Sequence, residues 1–375
     1  MMTADTRSYQ ACTRCVMDTT VPDIAFAADG TCNFCTAALA RLGRDLGIDA
    51  VARDALIAQI RRDGVGKPYD CIIGVSGGAD SSYTAYLVKQ YGLRPLAVHF
   101  DNGWNAQLAV QNIEHLLKAL DIDLLTHVVD WEEFRDLQLA FLKASVANSE
   151  IPTDHGIVAL LYRTAARHGV GYIVTGGNLA TEVIMPDSWM HDAKDLRLIK
   201  AIHRRFGTRP LRTFPTMSYM RLAWYVFVRR IRYVGLLNYI EYHKEEAMQA
   251  LERELGWRRY KAKHFESLYT RWFQGYLLPE KFGMDKRRPH LSSLIVSGQM
   301  TREQAVRELE APPYAPALAA EDIIYVRRKL GLSEQEFAAI MEAPVRTAHE
   351  YPSAERLLRM LGPVVRWSKD VATER

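Results

Sequence analysis

Short apolar runs alternate with helix-length amphipathic stretches between residues 67 and 178. Four of the runs have the length and composition of buried strands: 71–75, 96–100, 124–129 and 172–175. Four of the longer stretches predict helices: 80–90, 106–120, 131–147 and 155–168. Strands that alternate with helices in this way indicate an α/β fold, in which helices cover both faces of a parallel sheet.

The segments on either side of this region follow other patterns. Residues 36–62 are typical of helix, and the sequence Gly-Val-Gly-Lys-Pro at 64–68 breaks it. Beyond about residue 215 the chain is rich in Trp, Tyr and Arg and predicts helices, with a proline-rich connector at 311–316. We therefore predict four parts: a cysteine module at 1–40, a helical linker at 41–66, an α/β domain at 67–215 and a helical, substrate-binding C-terminal region at 216–375.

Composition and charge are those of an ordinary folded protein. Of 375 residues, 48% are hydrophobic and 25% are charged, and the net charge of +4 is too small to indicate a nucleic-acid-binding protein. We find neither a signal peptide nor an apolar run long enough to span a membrane, and we expect a cytoplasmic location. Residues 217–240 are apolar but contain Arg221, Arg229, Arg230 and Arg232, so they predict an amphipathic segment that buries one face or lies on a membrane surface.

The chemistry is concentrated in the loop that follows the first predicted strand. Its residues are Ser76, Gly77, Gly78, Ala79, Asp80, Ser81 and Ser82. Glycines allow the backbone to approach an anion closely, and the next helix presents its N-terminal N–H groups to that anion. The serine hydroxyls add hydrogen-bond donors. A carboxylate at Asp80 suits the magnesium ion that accompanies phosphates.

Three other interpretations use the same loop. A Walker A motif requires a lysine after the glycines, and none follows them here. The sequence Gly-Val-Ser-Gly-Gly at 74–78 matches the nucleophile elbow of α/β-hydrolases, with Ser76 as nucleophile, but it follows the first strand of the sheet. The third interpretation is a glycine turn without chemistry.

These residues resemble the Ser-Gly-Gly-x-Asp-Ser signature of the PP-loop ATP pyrophosphatases (HUP-like fold), such as GMP, asparagine and argininosuccinate synthetases and tRNA-modifying ligases. The resemblance implies that the loop holds the ATP phosphates that leave as pyrophosphate. It also implies that the end of the second strand, Val98 to Asp101, holds the adenosine. The loop after a later strand, with Thr175, Gly176, Gly177 and Asn178, would close the site.

A narrower resemblance extends over most of the chain. Its motifs are Cys-x2-Cys at 12–15 and 32–35, the 76–82 loop, His-x-Asp-Asn-Gly-Trp at 99–104, Thr-Gly-Gly-Asn at 175–178 and the basic stretch that runs from Lys281 to Gly298. In order and spacing they are similar to the N-acetyl sugar amidotransferases, which make acetamidino sugars for lipopolysaccharide O-antigens and flagellin glycans.

The resemblance implies an AMP-forming ligase that uses ATP and Mg²⁺. ATP would adenylate the acetamido oxygen of an N-acetyl sugar, nucleotide-linked or acidic, and ammonia would then displace AMP to give an amidine. Because no protein nucleophile is needed, the protein supplies positioning and charge neutralisation. Cationic candidates for that catalytic role are Lys281, Lys286, Arg287 and Arg288, although a basic helix start is often only solvated.

The ammonia source is expected to be a separate glutaminase subunit. Cys71 is the only cysteine outside the paired set, and it lies in a predicted buried strand, where a thiol is a poor nucleophile.

The other four cysteines, Cys12, Cys15, Cys32 and Cys35, form a C-x2-C-x16-C-x2-C pattern. In a cytoplasmic protein this pattern predicts a structural zinc site of zinc-ribbon type, with an iron–sulfur cluster or redox pairs as alternatives. Two alternative functions for the chain also include such a module: a PP-loop tRNA sulfurtransferase or related ligase, and a zinc-ribbon binding module without catalysis.

Aromatic residues of the C-terminal region either build the substrate pocket or pack as helical core. They are Trp224, Tyr225, Tyr239, Tyr242, Trp257, Tyr260, His264, Tyr269, Trp272 and Tyr276.

Overall fold

A computed structural model describes residues 8–260 and 265–355 of the chain. A five-stranded, fully parallel sheet lies at the centre, in the order β3-β2-β1-β4-β5. The strands are β1 (Cys71–Gly74), β2 (Pro95–Asp101), β3 (Asp123–Val128), β4 (Tyr172–Thr175) and β5 (Arg232–Gly235). The α/β class with a parallel sheet, an N-terminal cysteine cluster and a helical C-terminal region is thus confirmed.

The strand order creates a topological switch point. The chain runs outward from β1 through β2 to β3 and then returns to place β4 on the other side of β1. The loops that leave β1 and β4 therefore diverge to opposite sides, and a crevice forms at the carboxyl ends of these two strands. In both of these loops the sequence predicts ATP-binding residues.

The described residues form sixteen α-helices, and the first six correspond to helices that the sequence pattern predicts. These are α1 (Asn33–Asp45), α2 (Ala50–Asp63), α3 (Ala79–Gln90), α4 (Gln107–Leu120), α5 (Trp131–Ala144) and α6 (Ile151–Arg167). Two helices that follow β4, α7 (Leu179–Glu182) and α8 (Leu196–Phe206), were not predicted. The predicted helix at 36–62 is two helices, because Asp49 caps a new helix by accepting a hydrogen bond from the Val51 N–H.

The remaining helices follow the last strands. They are α9 (Tyr219–Ala223), α10 (Lys244–Leu255), α11 (Leu268–Trp272), α12 (Leu278–Phe282), α13 (Arg287–Val296), α14 (Arg302–Glu310), α15 (Pro316–Leu330) and α16 (Glu334–Glu342). π-Helical turns at Trp224–Val228 and Phe273–Leu277 continue α9 and α11, and 3₁₀ turns lie at Asp187–Trp189, Leu236–Tyr239 and Ala348–Glu350. The predicted connector at 311–316 separates α14 from α15.

The segment 217–240 differs from the amphipathic helix that its composition suggests. The helix ends at Val228, and Arg230 adopts a left-handed conformation with φ of 54°. The chain then forms β5, in which Val234 is fully buried. Because β5 pairs with β4, the sheet continues into the region that the sequence assigns to helices.

Two hydrophobic layers cover the sheet. Successive residues of a strand point to opposite faces, so Ile72 joins one layer, with α5, α6 and α8, while Ile73 joins the other, with α2, α3, α4 and α10. The layers hold the strands rigidly, and the loops at their carboxyl ends are thereby fixed relative to one another. In the part of the chain that the structure describes, no helix is long and apolar enough to cross a membrane.

Candidate functional site

The loop between β1 and α3 is an anion cradle built mainly from backbone. Gly77 has a φ of 81°, and a Cβ there would lie 2.7 Å from the Ala109 carbonyl oxygen, so glycine is required. Gly78 begins α3 without any side-chain cap, which leaves the N–H groups of this twelve-residue helix open to a ligand. The geometry is that of a phosphate-binding helix start.

Hydroxyl groups hold the loop in shape. The Ser76 hydroxyl lies 3.1 Å from the Ser81 hydroxyl and accepts a hydrogen bond from the Gly78 N–H at 3.3 Å. In residues 8–260 and 265–355, the contacts of the Ser76 hydroxyl include no histidine, which an esterase nucleophile needs. The Ser82 hydroxyl is buried on the inner face of α3 and has no hydrogen-bond partner among the described residues.

Two aromatic side chains support the loop from outside. The Trp257 indole N–H and the Tyr260 hydroxyl each donate a hydrogen bond to the Gly77 carbonyl oxygen at 3.0 Å. This pairing fixes the Gly77–Gly78 peptide. Burial raises the pKa of Tyr260 above its usual range, so the hydroxyl remains a donor at neutral pH.

Asp80 follows the cradle in the first turn of α3 and contacts Tyr242. The Tyr242 hydroxyl donates a hydrogen bond to the Asp80 carboxylate. Burial, reinforced by the negative charge of Asp80, holds the pKa of Tyr242 far above its ordinary value. Tyr242 is therefore a permanent donor that orients the carboxylate at the entrance of the cradle.

The loop after β4 closes on the cradle from the other side of the switch point. A Cβ on Gly176 would lie 2.7 Å from the Asp80 carbonyl carbon and 2.8 Å from the Ser81 nitrogen, so the backbones of the two loops are in direct contact at this point. The Thr175 hydroxyl accepts a hydrogen bond from the Gly177 N–H at 3.0 Å, and buried Asn178 caps α7. These contacts fix the conformation of the 175–178 loop.

Replacing Gly176 with alanine should lower pyrophosphate release by at least about ten-fold, because the added methyl group forces the two loops apart and overpacking costs about 1–3 kcal/mol. Gly177→Ala is the matched control, since its Cβ would only meet the Thr175 hydroxyl, at 3.3 Å. Steady-state rates and thermal midpoints of both variants test this. Equal rates in the two variants would show that the contact does not shape the site.

A cavity of about 360 Å³ opens between the two loops. Its lining residues are Ser76, Gly78, Ala79, Asp80, Ser81, Gly176, Gly177, Glu182, Lys244, Met248, Trp257, Arg259, Tyr260 and Glu266. Three carboxylates and two cations therefore face one space beside the uncapped helix start. The sequence analysis did not single out Glu182, Lys244, Met248 or Glu266, because no motif marks them.

The end of β2 is ordered by its own hydrogen bonds. The Asp101 carboxylate accepts bonds from the Gly103 N–H at 2.9 Å and from the Asn105 amide at 3.0 Å, and that amide also lies 3.0 Å from His99 Nε2. Val98 is buried in the core between β1 and β3. Asp101 thus lies at the carboxyl edge of the sheet, whereas the Val98 side chain does not, and their adenosine-binding role stays a prediction.

The cysteine centre is a compact set of four buried sulfurs. All four sulfur atoms of Cys12, Cys15, Cys32 and Cys35 lie within 4.8 Å of one another, and the Cys12–Cys35 and Cys15–Cys32 pairs are 3.8 Å apart. A tetrahedron of sulfurs around zinc, with bonds of about 2.3 Å, has edges of about 3.8 Å. The set therefore fits a closed tetrahedral metal site.

Backbone N–H groups point at these sulfurs, as they do around metal thiolates. The Cys32 N–H donates to Cys12 Sγ at 3.2 Å, and the Cys35 N–H donates to Cys32 Sγ at 3.4 Å. Cys32 also caps α1, and its hydrogen bonds, chiefly that with Cys15, lower the pKa of its thiol to about 4. Among the described residues no other group of three or more metal-ligating side chains clusters in this way.

The cysteine module packs against the loop that closes the cavity. Its core includes Leu179, Val183, Ile184 and Trp189 from the segment after β4. The Arg302 guanidinium of α14 donates to the Cys12 and Cys15 carbonyl oxygens at 3.1 Å. The module therefore braces the cavity-closing segment against the C-terminal region.

Comparison with known families identifies that region. Residues 266–364 match the family described as LPS biosynthesis protein WbpG-like, C-terminal domain. The C-terminal region is similar to this family, and we call residues 266–364 the WbpG-like domain on that ground. The match confirms the relationship to surface-polysaccharide proteins that the sequence motifs predict. The chain is also 23% identical, over 267 residues, to an uncharacterised protein of Methanocaldococcus jannaschii; the aligned part is 69% of this chain and 78% of that protein.

Three solved structures match this chain with low TM-scores. The NH3-dependent NAD synthetase of Campylobacter jejuni is 13% identical, with 79% of this chain and 98% of that chain covered and a TM-score of 0.29. The NMN synthetase of Francisella tularensis is 13% identical, with 76% and 97% covered and a TM-score of 0.29. A predicted subunit of tRNA methyltransferase from M. jannaschii is 14% identical, with 48% and 74% covered and a TM-score of 0.27. At TM-scores this low, the three structures show nothing about the function of this chain.

Most of the predicted cations of the WbpG-like domain contact protein groups. Lys281 donates to the carbonyl oxygens of Ile340, Met341 and Ala343 at the end of α16. Arg287 pairs with Asp285 at 2.8 Å and also donates to backbone carbonyls at the end of α14. Their phosphate-binding role stays a prediction, but in this structure both charges hold helix ends.

The other two cations of the WbpG-like domain have different surroundings. Arg288 pairs with Asp18 of the cysteine module at 2.9 Å. Lys286 begins α13 and is the cation whose charge acts on Asp154, in the first turn of α6. Of the predicted basic residues, Lys286 is therefore the one directed toward the sheet edge.

Asp154 is a site residue that sequence reasoning missed. Asp154 is exposed at the start of α6, where desolvation by neighbouring protein groups, together with the charge of Glu150, raises the pKa of its carboxyl group to about 7. Tyr233 of β5 is within electrostatic reach of Asp154 and hydrogen-bonds to Thr175 of the cavity-closing loop. A carboxyl group that titrates near neutral pH beside a ligand loop is a candidate acid or base.

Members of the predicted aromatic set lie in different surroundings, and Trp224 is exposed. Trp257 and Tyr260 line the cavity, and Tyr242 contacts Asp80. Tyr225, Tyr269 and Trp272 are buried in the hydrophobic core. His264 lies outside the described residues. Helical spacing could not separate these groups, because both place aromatics on inward faces.

Proposed function

We propose that the chain is an ATP-dependent amidotransferase that converts the acetamido group of an N-acetyl sugar into an acetamidino group in lipopolysaccharide biosynthesis. One observation carries the proposal. The 76–81 loop, which has the PP-loop signature, shares its cavity with Glu266, where the match to the WbpG-like domain begins. The proposed ATP-binding loop and the start of the WbpG-like domain thus line the same cavity.

ATP would bind with its phosphates over the start of α3. The N–H groups after Gly78 and the Ser81 hydroxyl would contact the β- and γ-phosphates. Lys244 and Arg259 line the same cavity, and Arg259 also pairs with Glu245 at 3.0 Å and Glu252 at 3.2 Å. Asp80 would hold Mg²⁺, which typically takes one or two protein carboxylates and completes its shell with phosphate oxygens and water. The single oriented carboxylate of Asp80 is therefore enough to hold the magnesium ion.

The proposed reaction has two steps. The acetamido oxygen attacks the α-phosphorus of ATP, and the bond to the β-phosphate breaks, which releases pyrophosphate and leaves an O-adenylated imidate. Ammonia then adds to the imidate carbon, the nitrogen loses a proton, and AMP departs with the original amide oxygen. The protein contributes charge neutralisation on the phosphates and fixed positions for both reactants.

Ammonia would come from a separate glutaminase. Cys71 lies fully buried in β1, and burial raises the pKa of its thiol, so it cannot serve as the glutaminase nucleophile. Asp154 would remove the proton from ammonium or from the adduct, and the charge of Lys286 would favour its ionised form. The carboxylate is the active form, which sets the direction of the pH dependence.

Asp154→Asn should reduce the ammonia-dependent rate by about 10²–10⁴-fold, as expected for loss of a general base. In the wild type the rate should rise as the pH passes through about 7, because the carboxylate forms there. In the variant this rise should vanish. Rates measured from acid to alkaline pH at saturating ammonium chloride test both points, and an unchanged pH profile in Asp154→Asn would exclude the assignment.

The reaction itself is tested with the full chain, ATP, Mg²⁺, ammonium chloride and a panel of nucleotide-linked and acidic N-acetyl sugars. We expect pyrophosphate and AMP in equal amounts. The sugar product should weigh about one mass unit less, because NH replaces O, and should gain a positive charge, because amidines are protonated at neutral pH. Formation of ADP, or transfer of sulfur to tRNA, would contradict the proposal and favour a different PP-loop activity.

A further inference from the structure

His99 is a buried histidine near the carboxyl end of β2, and both of its ring nitrogens have polar partners. Its Nδ1 atom lies 2.9 Å from the carbonyl oxygen of Val75, the residue that directly follows β1. Its Nε2 atom lies 3.0 Å from the side-chain amide nitrogen of Asn105, in the loop between β2 and α4. The imidazole ring therefore connects two segments that border the candidate site.

These partners determine which ring nitrogen carries the proton. A carbonyl oxygen can only accept a hydrogen bond, so Nδ1 of His99 donates to Val75. The Asn105 amide nitrogen also lies 3.0 Å from the Asp101 carboxylate, which only accepts, so this nitrogen is a donor to both of its neighbours. Nε2 of His99 is then an acceptor, and the ring is the neutral tautomer with its proton on Nδ1.

The bond to Val75 acts on the phosphate loop. The Val75 N–H already donates to the Val98 carbonyl oxygen at 3.0 Å, and His99 holds the Val75 carbonyl oxygen. The same peptide group continues to the Ser76 N–H, which donates to the Ser81 hydroxyl at 3.3 Å. The peptide at which the loop begins is thus held at both its oxygen and its nitrogen.

The bond to Asn105 acts on the start of the WbpG-like domain. The backbones of Asn105 and Ser267 form an antiparallel bridge, and the Ala106 N–H donates to the Glu266 carbonyl oxygen at 2.9 Å. Glu266 lines the cavity beside the phosphate loop, where a Cβ on Gly78 would lie 3.1 Å from its carboxylate. One histidine therefore touches both the loop that begins at Val75 and the segment that holds Glu266.

We propose that His99 is a positioning residue that keeps the phosphate loop and the start of the WbpG-like domain in register across the cavity, a role that rests on the proposed function. The Val75 bond would set the N–H groups that bind the ATP phosphates. The Asn105 bond would set the distance between the α-phosphate and the sugar acetamido group. Both matter for the transfer, because a misplacement of about 1 Å can lower a rate by about 10²-fold.

Two variants separate the two bonds. In His99→Asn the side-chain nitrogen can replace Nδ1 as donor to Val75, but the acceptor for Asn105 is lost. In His99→Gln the side-chain oxygen can replace Nε2 as acceptor, but the donor to Val75 is lost.

The two variants should therefore divide KM from kcat in opposite ways. For His99→Asn we expect the KM for ATP to stay within about two-fold of the wild type while kcat falls at least about ten-fold. For His99→Gln we expect the KM for ATP to rise at least about five-fold, with a smaller loss of kcat, because one hydrogen bond beneath the phosphate loop is missing. Pyrophosphate release at varied ATP, with saturating N-acetyl sugar and ammonium chloride, measures both constants.

Nitrogen NMR of the full chain, labelled with ¹⁵N-histidine, tests the ring without reference to the reaction. We expect a neutral ring with its proton on Nδ1, assigned to His99 by its loss in His99→Asn. A proton on Nε2, or on both nitrogens, at neutral pH would overturn the inference. Absence of pyrophosphate release in the wild type would instead be a failure of the proposed function, which the NMR experiment does not depend on.

His203→Asn is the matched control. His203 of α8 lies 3.1 Å from Asp136 and is not among the residues that line the cavity. This variant should lower the thermal midpoint but keep the wild-type KM and kcat. If His99→Asn and His99→Gln change KM and kcat in the same way, the two bonds have no separate roles and the inference is wrong. If both variants misfold, Asn105→Ala removes the Nε2 partner and should lower kcat as His99→Asn does, and a wild-type kcat in Asn105→Ala would also exclude the positioning role.

Discussion

Asp80→Asn should lower pyrophosphate release by about 100-fold or more while the chain remains folded. Asparagine keeps the shape of the side chain and its acceptor oxygen for the Tyr242 hydroxyl, but it loses the charge that Mg²⁺ requires. Loss of one preorganised electrostatic contact to a transferring phosphoryl group costs about this much in other enzymes. Rates at saturating Mg²⁺ and ATP, with thermal unfolding as a check on folding, measure the effect.

Two further variants make this result specific. Tyr242→Phe keeps the Asp80 charge and removes only its orienting hydrogen bond, so we expect a loss no greater than about ten-fold to a hundred-fold. Ser76→Ala addresses the esterase alternative, because it would abolish ester hydrolysis if Ser76 were a nucleophile. Wild-type pyrophosphate release in Asp80→Asn would show that the carboxylate has no role in binding the metal.

Loss of the metal at the cysteine centre should destabilise the chain and also abolish its activity. Structural zinc sites contribute about 10–16 kcal/mol of apparent binding free energy in small peptides. In this chain the four cysteines share a core with Leu179, Ile184 and Trp189, so the segment that closes the cavity depends on the centre. We expect one zinc per chain, and Cys12→Ser should lower the unfolding midpoint by roughly 10 °C or more, at about 2–4 °C per kcal/mol.

Metal analysis and calorimetry, with and without a chelator, measure these effects. Cys71→Ala is the matched control, because it removes a buried thiol of β1 that is not part of the centre, and its zinc content should equal that of the wild type. An iron chromophore, or less than half an equivalent of zinc in freshly purified protein, would exclude a structural zinc site. Full activity in metal-free protein would show that the centre does not support the cavity.

The cysteine centre and the segment that closes the cavity are linked through the WbpG-like domain. The Ile184 N–H donates to the Ser293 hydroxyl at 3.0 Å, and Arg288 and Arg302 reach from this domain to the cysteine module. The basic stretch that the sequence analysis assigned to phosphates therefore helps to hold the module, the cavity-closing segment and α13 together.

The sequence by itself determined the elements that local patterns encode. Apolar runs of four to six residues specified β1 to β4, and the glycines before Asp80 predicted the tight turn and uncapped helix start at the end of β1. The cysteine spacing specified a four-sulfur centre, which the structure assembles within 4.8 Å. Each of these features depends on residues close together in the chain, so their physical signature is visible in the sequence.

Only the tertiary structure decided which distant residues complete the site. Desolvation of Asp154 by groups that the fold brings near it, together with the charge of Glu150, raises its pKa to about 7, and no motif indicates this desolvation. Tyr242 reaches Asp80 across 162 positions, whereas Lys281 is drawn to the end of α16. Burial, electrostatic environment and long-range contacts are properties of the packed molecule, so a motif can indicate the chemistry of a loop but not the partners that complete it.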